Sequence, residues 1–328
     1  TVGMNKLEEI GSAIKMAERV LLCGHVMPDG DCLGSVLALG LTLEKLGKKV
    51  TMAGPDPVPE KYRFLPGSDR FVVGDPPKSQ YDTFIILDCS VPERLGKGYK
   101  ELLSKNMVSI NIDHHAGSIP FGDYQYTDTK AAAVGEIIFD LLNVMKVNLT
   151  IEAAINLYTA IITDTGSFQY DNTTPGTHRR AAMILEMGIP AAQINIHLYE
   201  EKPVVALNIL GAALNTLSIS PCGKVCWMTI TQETLRKAGA VDEHTDGLVN
   251  YARSVKGVQV GILFREITED LYKVSFRSKS VVDVNQLAAP FGGGGHLRAA
   301  GCVLQGDLEK IQEEIITAAI LAVGGTVQ

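Results

Sequence analysis

The sequence predicts an α/β protein: a doubly wound, mainly parallel sheet domain joined by a helical linker to a smaller α/β domain with a mixed sheet. Three observations lead there. Through the first half of the chain, short apolar runs alternate with stretches of helical periodicity, as in a parallel sheet covered on both faces. After Gly188-Ile189-Pro190 the pattern turns helical, and beyond Ser220 strands return with a short turn between two of them. With 328 residues the chain has room for two cores, since a domain holds roughly 100 to 200 residues.

In the first domain, residues 1–190, strands are expected at Arg19 to Val26, Lys48 to Ala53, Tyr81 to Asp88 and Val108 to Ile112. Between the first two, Leu33 to Leu46 has apolar residues at helical spacing and stops at Gly47, a suitable C-terminal cap. Further helices are expected at about Ala132 to Met145 and Ile151 to Thr163. The linker, residues 191–219, reads as two helices, Ala191 to Tyr199 and Pro203 to Leu217. In the second domain, residues 220–328, strands are expected at Val225 to Thr231, Val258 to Ile267 and Leu271 to Arg277. The acidic turn Glu269-Asp270 makes the last two a hairpin. A glycine run at 292–295 precedes another strand, and a helix from about Asp307 to Ala322 closes the chain. Thr1-Val2-Gly3 ahead of Met4 is read as a cloning remnant and stays outside the fold argument.

Composition narrows the function. A hydrophobic fraction of 46% with 20% charged residues is ordinary for a globular protein. The formal charge of −7 disfavours long duplex nucleic acid, whose affinity comes from many Lys and Arg contacts to phosphates, but leaves room for a short anionic substrate. Six scattered cysteines in so long a chain point to a reducing cytoplasm, and Cys222 and Cys226 lack a second pair at zinc spacing. No run reaches the roughly 18 to 20 apolar residues of a membrane span, so no membrane partner is expected. The oligomeric state is open, a homodimer included.

The chemistry is carried by four segments that place Asp or His at the end of an expected strand or helix. His25-Val-Met-Pro28-Asp29-Gly30-Asp31 turns sharply after the first strand, Asp88 ends the third, Asp113-His114-His115 follows the fourth, and Asp164 follows a helix. In open α/β sheets such strand ends converge on one crevice. Taken singly, each Asp reads as a cap or turn residue and each His as a structural one. Together, carboxylates that crowd at neutral pH require cations. Oxygen and imidazole donors without thiolate suit Mn²⁺ or Mg²⁺, and two such ions bring a charge of about +4 against Asp29, Asp31, Asp88 and Asp164. A metal pair roughly 3.5 to 4 Å apart is a known device for phosphoryl hydrolysis. Ser35 lacks the order of a nucleophilic triad, Thr163 to Ser167 lacks a phosphate-loop lysine, and His178, His197 and His244 read as structural.

These residues resemble the motifs of DHH phosphoesterases: His25-x-x-Pro-Asp-x-Asp, Asp88, Asp113-His-His and Asp164. Phe291-Gly292-Gly293-Gly294-Gly295-His296-Leu-Arg-Ala-Ala300-Gly301 looks like the signature of the DHH-associated domain, so the resemblance runs from position 25 to 301. It implies that His25, Asp29 and Asp88 bind one Mn²⁺ and that Asp31, Asp88, His114 and Asp164 bind the other, with Asp88 bridging. It also implies that His115 faces the scissile phosphate while Asp113 supports the site from behind. In the second domain it implies substrate contacts from Arg277, Ser278, Gly294, Gly295 and His296. Physical reasoning agrees, since glycine backbone approaches a phosphate closely and a guanidinium suits a terminal one.

Within the superfamily the chain is most similar to nano-RNases of NrnA type. The expectation is a Mn²⁺-dependent hydrolase that frees 5′-mononucleotides from very short RNAs and dephosphorylates 3′-phosphoadenosine 5′-phosphate, the second domain gripping the far end of the substrate. A linear dinucleotide phosphodiesterase acting on pApA is the nearest rival. A RecJ-like nuclease would need further DNA-binding domains and a family II pyrophosphatase a different second domain. A non-catalytic nucleotide sensor on the same scaffold would be marked by lost ligands, and none of the motif residues is missing.

Overall fold

The protein is described here by a computed structural model covering residues 5–279 and 282–325, with His296 placed by its backbone only. Thr1-Val2-Gly3, expected to be a cloning remnant, lies outside the described residues. The chain divides into two compact units, Thr1–Glu201 and Lys202–Gln328.

The first unit is built on six strands, β1 (Arg19–Cys23), β2 (Lys49–Gly54), β3 (Val72–Val73), β4 (Thr83–Leu87), β5 (Val108–Asp113) and β6 (Tyr124–Thr127). Their order is β3-β2-β1-β4-β5-β6 and every pairing is parallel. The order reverses between β1 and β4, which is where an open α/β sheet forms its ligand crevice. Because side chains alternate across a strand, Leu22, Ile85 and Ile112 enter one core and Leu21, Phe84 and Ile86 the core on the other face. Among the described residues, seven α-helices accompany the sheet: α1 (Leu7–Met16), α2 (Gly30–Lys45), α3 (Lys97–Leu102), α4 (Val134–Val144), α5 (Ile151–Asp164), α6 (Pro175–Leu185) and α7 (Ala191–Asn195).

Helices α2 and α5 approach so closely that two glycines are obligatory. A Cβ on Gly34 would lie 2.4 Å from the backbone oxygen of Asn156, and one on Gly30 would lie 2.4 Å from Thr163 Oγ1. This close approach sets the first turn of α2, with Asp31, beside the last turn of α5, with Asp164. It also accounts for Gly34 as a packing position of this helix pair.

The second unit holds a mixed sheet, β11-β12-β10-β9-β8-β7, formed by β7 (Ser218–Ile219), β8 (Val225–Ile230), β9 (Val260–Thr268), β10 (Leu271–Ser278), β11 (Gly294–His296) and β12 (Ala299–Gln305). The expected hairpin is present: β9 and β10 are antiparallel and Asp270 takes the left-handed turn conformation at φ 58°. Helix α8 (Val204–Leu214) packs Ile209 and Ala213 into the same core as Cys226 and Met228 of β8. The expected linker helices therefore fall one in each unit, α7 followed by a π-helical turn at Ile196–Glu200 in the first and α8 in the second. Helices α9 (Gln232–Ala238), α10 (Val249–Ser254), α11 (Val284–Ala288) and α12 (Leu308–Ala322) complete the unit. Among the described residues no helix is long and apolar enough to cross a membrane.

Candidate metal centre

The crevice at the carboxyl ends of β1, β4 and β5 collects the residues picked out from the sequence. His25 follows β1, Asp88 follows β4, and Asp113 ends β5 with His114 and His115 immediately behind it. Asp31 enters on the first turn of α2 and Asp164 on the last residue of α5. His25, Asp31, Asp88, Asp113, His114 and His115 are all buried, and Asp164 is partly exposed.

Asp88 is the centre of the group. It takes φ 58°, a conformation Asp tolerates better than most residues, while its N–H still donates to Ile112 O at 3.0 Å. Its two oxygens then face different histidines, Oδ2 lying 3.4 Å from His25 Nε2 and Oδ1 3.6 Å from His114 Nε2. His114 Nε2 also lies 3.7 Å from Asp31 and 3.4 Å from Asp164. These separations are too long for good hydrogen bonds, and Asp88 Oδ1 is buried without any hydrogen-bond partner. Two donors that share one ion at about 2.1 Å lie roughly 3.0 to 3.6 Å apart, so the spacing fits cations between the side chains.

The histidine tautomers point the same way. His25 Nδ1 meets Val26 O at 2.7 Å and His114 Nδ1 meets Ala131 O at 3.1 Å. A carbonyl only accepts, so each ring carries its proton on Nδ1 when neutral and turns the Nε2 lone pair into the cluster. Asp31 is held by the start of α4, accepting from Val134 N at 2.6 Å and Gly135 N at 2.9 Å, and from Ser35 Oγ at 3.1 Å. The helix N-terminus thereby offsets part of the charge buried there.

Electrostatics show how strained the group is. Burial, with the charges of Asp88 and Asp164, pushes the Asp31 carboxyl well above its usual range. Burial likewise raises Asp164 to about 7 despite the opposing His114. For His25, burial would lower the pKa, but Asp29 and Asp88 outweigh it and lift the ring to about 10; for His114, Asp164, Asp31 and Asp88 do the same, again to about 10. A site with this much carboxylate in so little water gains most from bound cations.

Other expected residues are placed differently. Asp29 is exposed, caps α2 by accepting from Cys32 N at 3.1 Å, and approaches His25 Nε2 only to 3.8 Å. Asp113 lies behind the cluster, its Oδ1 2.6 Å from His115 Nδ1; burial would raise its carboxyl, yet that histidine holds it below the usual range. Arg277 is half-buried at the end of β10 and donates to Phe276 O at 2.9 Å. Ser278, the other expected substrate contact on β10, is buried and its hydroxyl donates to Val282 O at 2.6 Å. Gly295 N–H already donates to Asn285 Oδ1 at 2.9 Å, and a Cβ on Gly295 would meet Ala299 O at 2.4 Å, so this glycine answers first to the closeness of β12. The side chain of His296 lies outside the described residues.

Cys32 was not anticipated. Its Sγ is grouped with donors of His25 and Asp88 within 4.8 Å, and burial, with Asp88 and Asp29, pushes the thiol well above its usual pKa. Its position directly after Asp31 was the available signal.

Comparison with known proteins agrees with this geometry. Residues 19–163 match the DHH family, N-terminal domain, and residues 224–320 match the DHHA1 domain. A relative from Thermus thermophilus, described as a bifunctional oligoribonuclease and PAP phosphatase NrnA, is 34% identical over 95% of this chain and 93% of its own length. A Bacillus subtilis protein of the same description is 32% identical over 89% of this chain and 91% of its own length. Among solved structures, an exopolyphosphatase-related protein from Bacteroides fragilis superposes with a TM-score of 0.89 at 26% identity, covering 97% of this chain and 95% of that one.

Proposed function

Because the chain belongs to the DHH family of phosphoesterases and is a metal-dependent hydrolase, we propose that it cuts very short oligoribonucleotides to 5′-mononucleotides and also dephosphorylates 3′-phosphoadenosine 5′-phosphate. The observation that carries the catalytic part is the division of Asp88, one oxygen toward His25 and the other toward His114. In this reading His25, Asp29 and Asp88 hold one divalent ion and Asp31, Asp88, His114 and Asp164 the other, with Mn²⁺ the expected metal. When bound, such a pair supplies an activated water and neutralises charge on the phosphate.

The remaining roles fall to the chain's own groups. Asp113 fixes the His115 ring through Nδ1, which supports a role for Nε2 at an oxygen of the scissile phosphate. The start of α4 orients Asp31 and offsets part of its charge. Arg277 supplies a guanidinium for a terminal substrate phosphate, and Gly294, Gly295 and His296 form the neighbouring contact surface. The substrate class is supported by the two NrnA relatives and by a net charge of −7, which disfavours long nucleic acid. Six free cysteines support action in a reducing cytoplasm.

The test is parallel incubation with Mn²⁺ and pApA, a 5-mer and a 24-mer RNA, 3′-phosphoadenosine 5′-phosphate, and pyrophosphate. Turnover of the 5-mer and of 3′-phosphoadenosine 5′-phosphate, abolished by EDTA and restored by Mn²⁺, is expected. Fast turnover of pyrophosphate alone would sink the nuclease reading, and turnover of pApA alone would transfer it to a dinucleotide phosphodiesterase.

A further inference from the structure

The loop between His25 and Asp29 contains an exposed methionine in a backbone conformation that methionine avoids. Met27 has φ 52° and is 70% exposed, so its own packing does not hold it there. What meets it is Asp56, beyond the end of β2, whose Oδ2 accepts from Met27 N at 2.6 Å. On the preceding residue, Val26 N donates to Arg94 O at 2.7 Å, so the loop is held by the segments that follow both neighbouring strands, β2 and β4.

The peptide group that Asp56 grips joins Val26 to Met27. The carbonyl of that same group, Val26 O, receives the Nδ1 proton of His25. One planar unit thus connects a carboxylate on its N–H side to an imidazole on its C=O side. A carboxylate on the N–H polarises the amide and makes its carbonyl a stronger acceptor, which fixes the His25 ring and raises the basicity of Nε2.

We propose that Asp56 is a positioning residue for His25, acting through the Val26–Met27 peptide and holding Met27 in its left-handed conformation. The proposal rests on the reading of His25 as a metal ligand. Asp56 touches neither substrate nor the clustered carboxylates in this role; it sets the direction and donor strength of one imidazole.

The experiment titrates the metal-free full-length protein with Mn²⁺, following free ion by electron paramagnetic resonance, and records thermal melting in EDTA beside it. Asp56→Ala should weaken one of two Mn²⁺ sites by about 10-fold to 100-fold, the usual cost of losing a partner that orients a metal-binding histidine, with little change in metal-free melting. Asp56→Asn, which keeps an acceptor without the charge, should lose less. Met27→Gly placed on Asp56→Ala should recover part of the affinity, because glycine enters the left-handed region without strain. Native Mn²⁺ affinity in Asp56→Ala, or a melting loss without any change in affinity, overturns the proposal. His25→Ala separates the two levels: if it binds both ions normally, the ligand assignment fails and the relay with it. If it loses one ion while Asp56→Ala loses none, only the relay fails.

Discussion

Replacing Gly34 by alanine tests whether the α2–α5 approach sets the geometry of the centre. The new Cβ would lie 2.4 Å from Asn156 O, 3.0 Å from Ala160 Cβ and 3.1 Å from Ala160 N. The first distance is about 1 Å short of ordinary contact, and the obstacles belong to a helix, so no flexible side chain can swing aside. Overpacking of this kind costs about 1 to 3 kcal/mol, and backbone obstacles place Gly34 at the upper end. Alanine returns about 1 kcal/mol of helix propensity, leaving a net loss of about 2 kcal/mol. In a unit of this size that lowers the melting temperature by about 5 °C. The relief route is separation of α2 from α5 by about 1 Å, which moves Asp31 away from Asp164. Misplacement on that scale costs about 100-fold in rate. Differential scanning calorimetry and steady-state hydrolysis of a 5-mer at saturating Mn²⁺ measure both effects. The exposed Gly211, with nothing within 4 Å of an added Cβ, is the control: Gly211→Ala should melt slightly higher at native rate. A Gly34→Ala protein that melts no lower than native and turns over at the native rate would refute the packing argument.

Asp88→Ala should stay folded by circular dichroism but lose hydrolysis below detection, and calorimetric titration should show fewer bound Mn²⁺; full activity would remove Asp88 from the bridging role. Arg277→Ala should raise KM about tenfold or more while kcat changes far less, because the lost guanidinium serves binding; unchanged kinetics on every substrate would dismiss it. Asn285→Ala leaves the Gly295 N–H without its present acceptor, at a cost of about 1 kcal/mol in chemical unfolding, and should raise KM together with it. A raised KM with native stability would point instead to direct substrate contact by Asn285.

Much of the first unit was legible because parallel strands buried on both faces read as continuous apolar runs. Phe84-Ile85-Ile86-Leu87 is such a run, and Asp88 marks its end. The recurrence of Asp and His at those ends carried the site. What escaped is non-local or only weakly patterned. Strand β6, Tyr-Gln-Tyr-Thr at the sheet edge, has no apolar run, and its alternation covers only four residues. Nothing near Asp31 announces that the start of α4 will hold its carboxylate, since Val134 and Gly135 meet it only through the fold. Asp56 belongs to no motif, and its contact with Met27 depends on a backbone angle that a sequence does not display. Ser278 stands at a motif position, and what its letter does not display is that the hydroxyl closes a turn onto Val282.

The closeness of α2 and α5 also bears on how the protein is made. Asp31 lies early in the chain, whereas Asp164 is the last residue of α5 and is synthesised after all six strands of the first sheet. Folding on the ribosome proceeds from the N-terminus by whole domains, so a nascent chain that has exposed His25, Asp29 and Asp31 still lacks the helix against which Gly34 must pack. Ribosome-stalled chains ending before α5 should therefore capture little Mn²⁺, and those extending past it should capture it in one step.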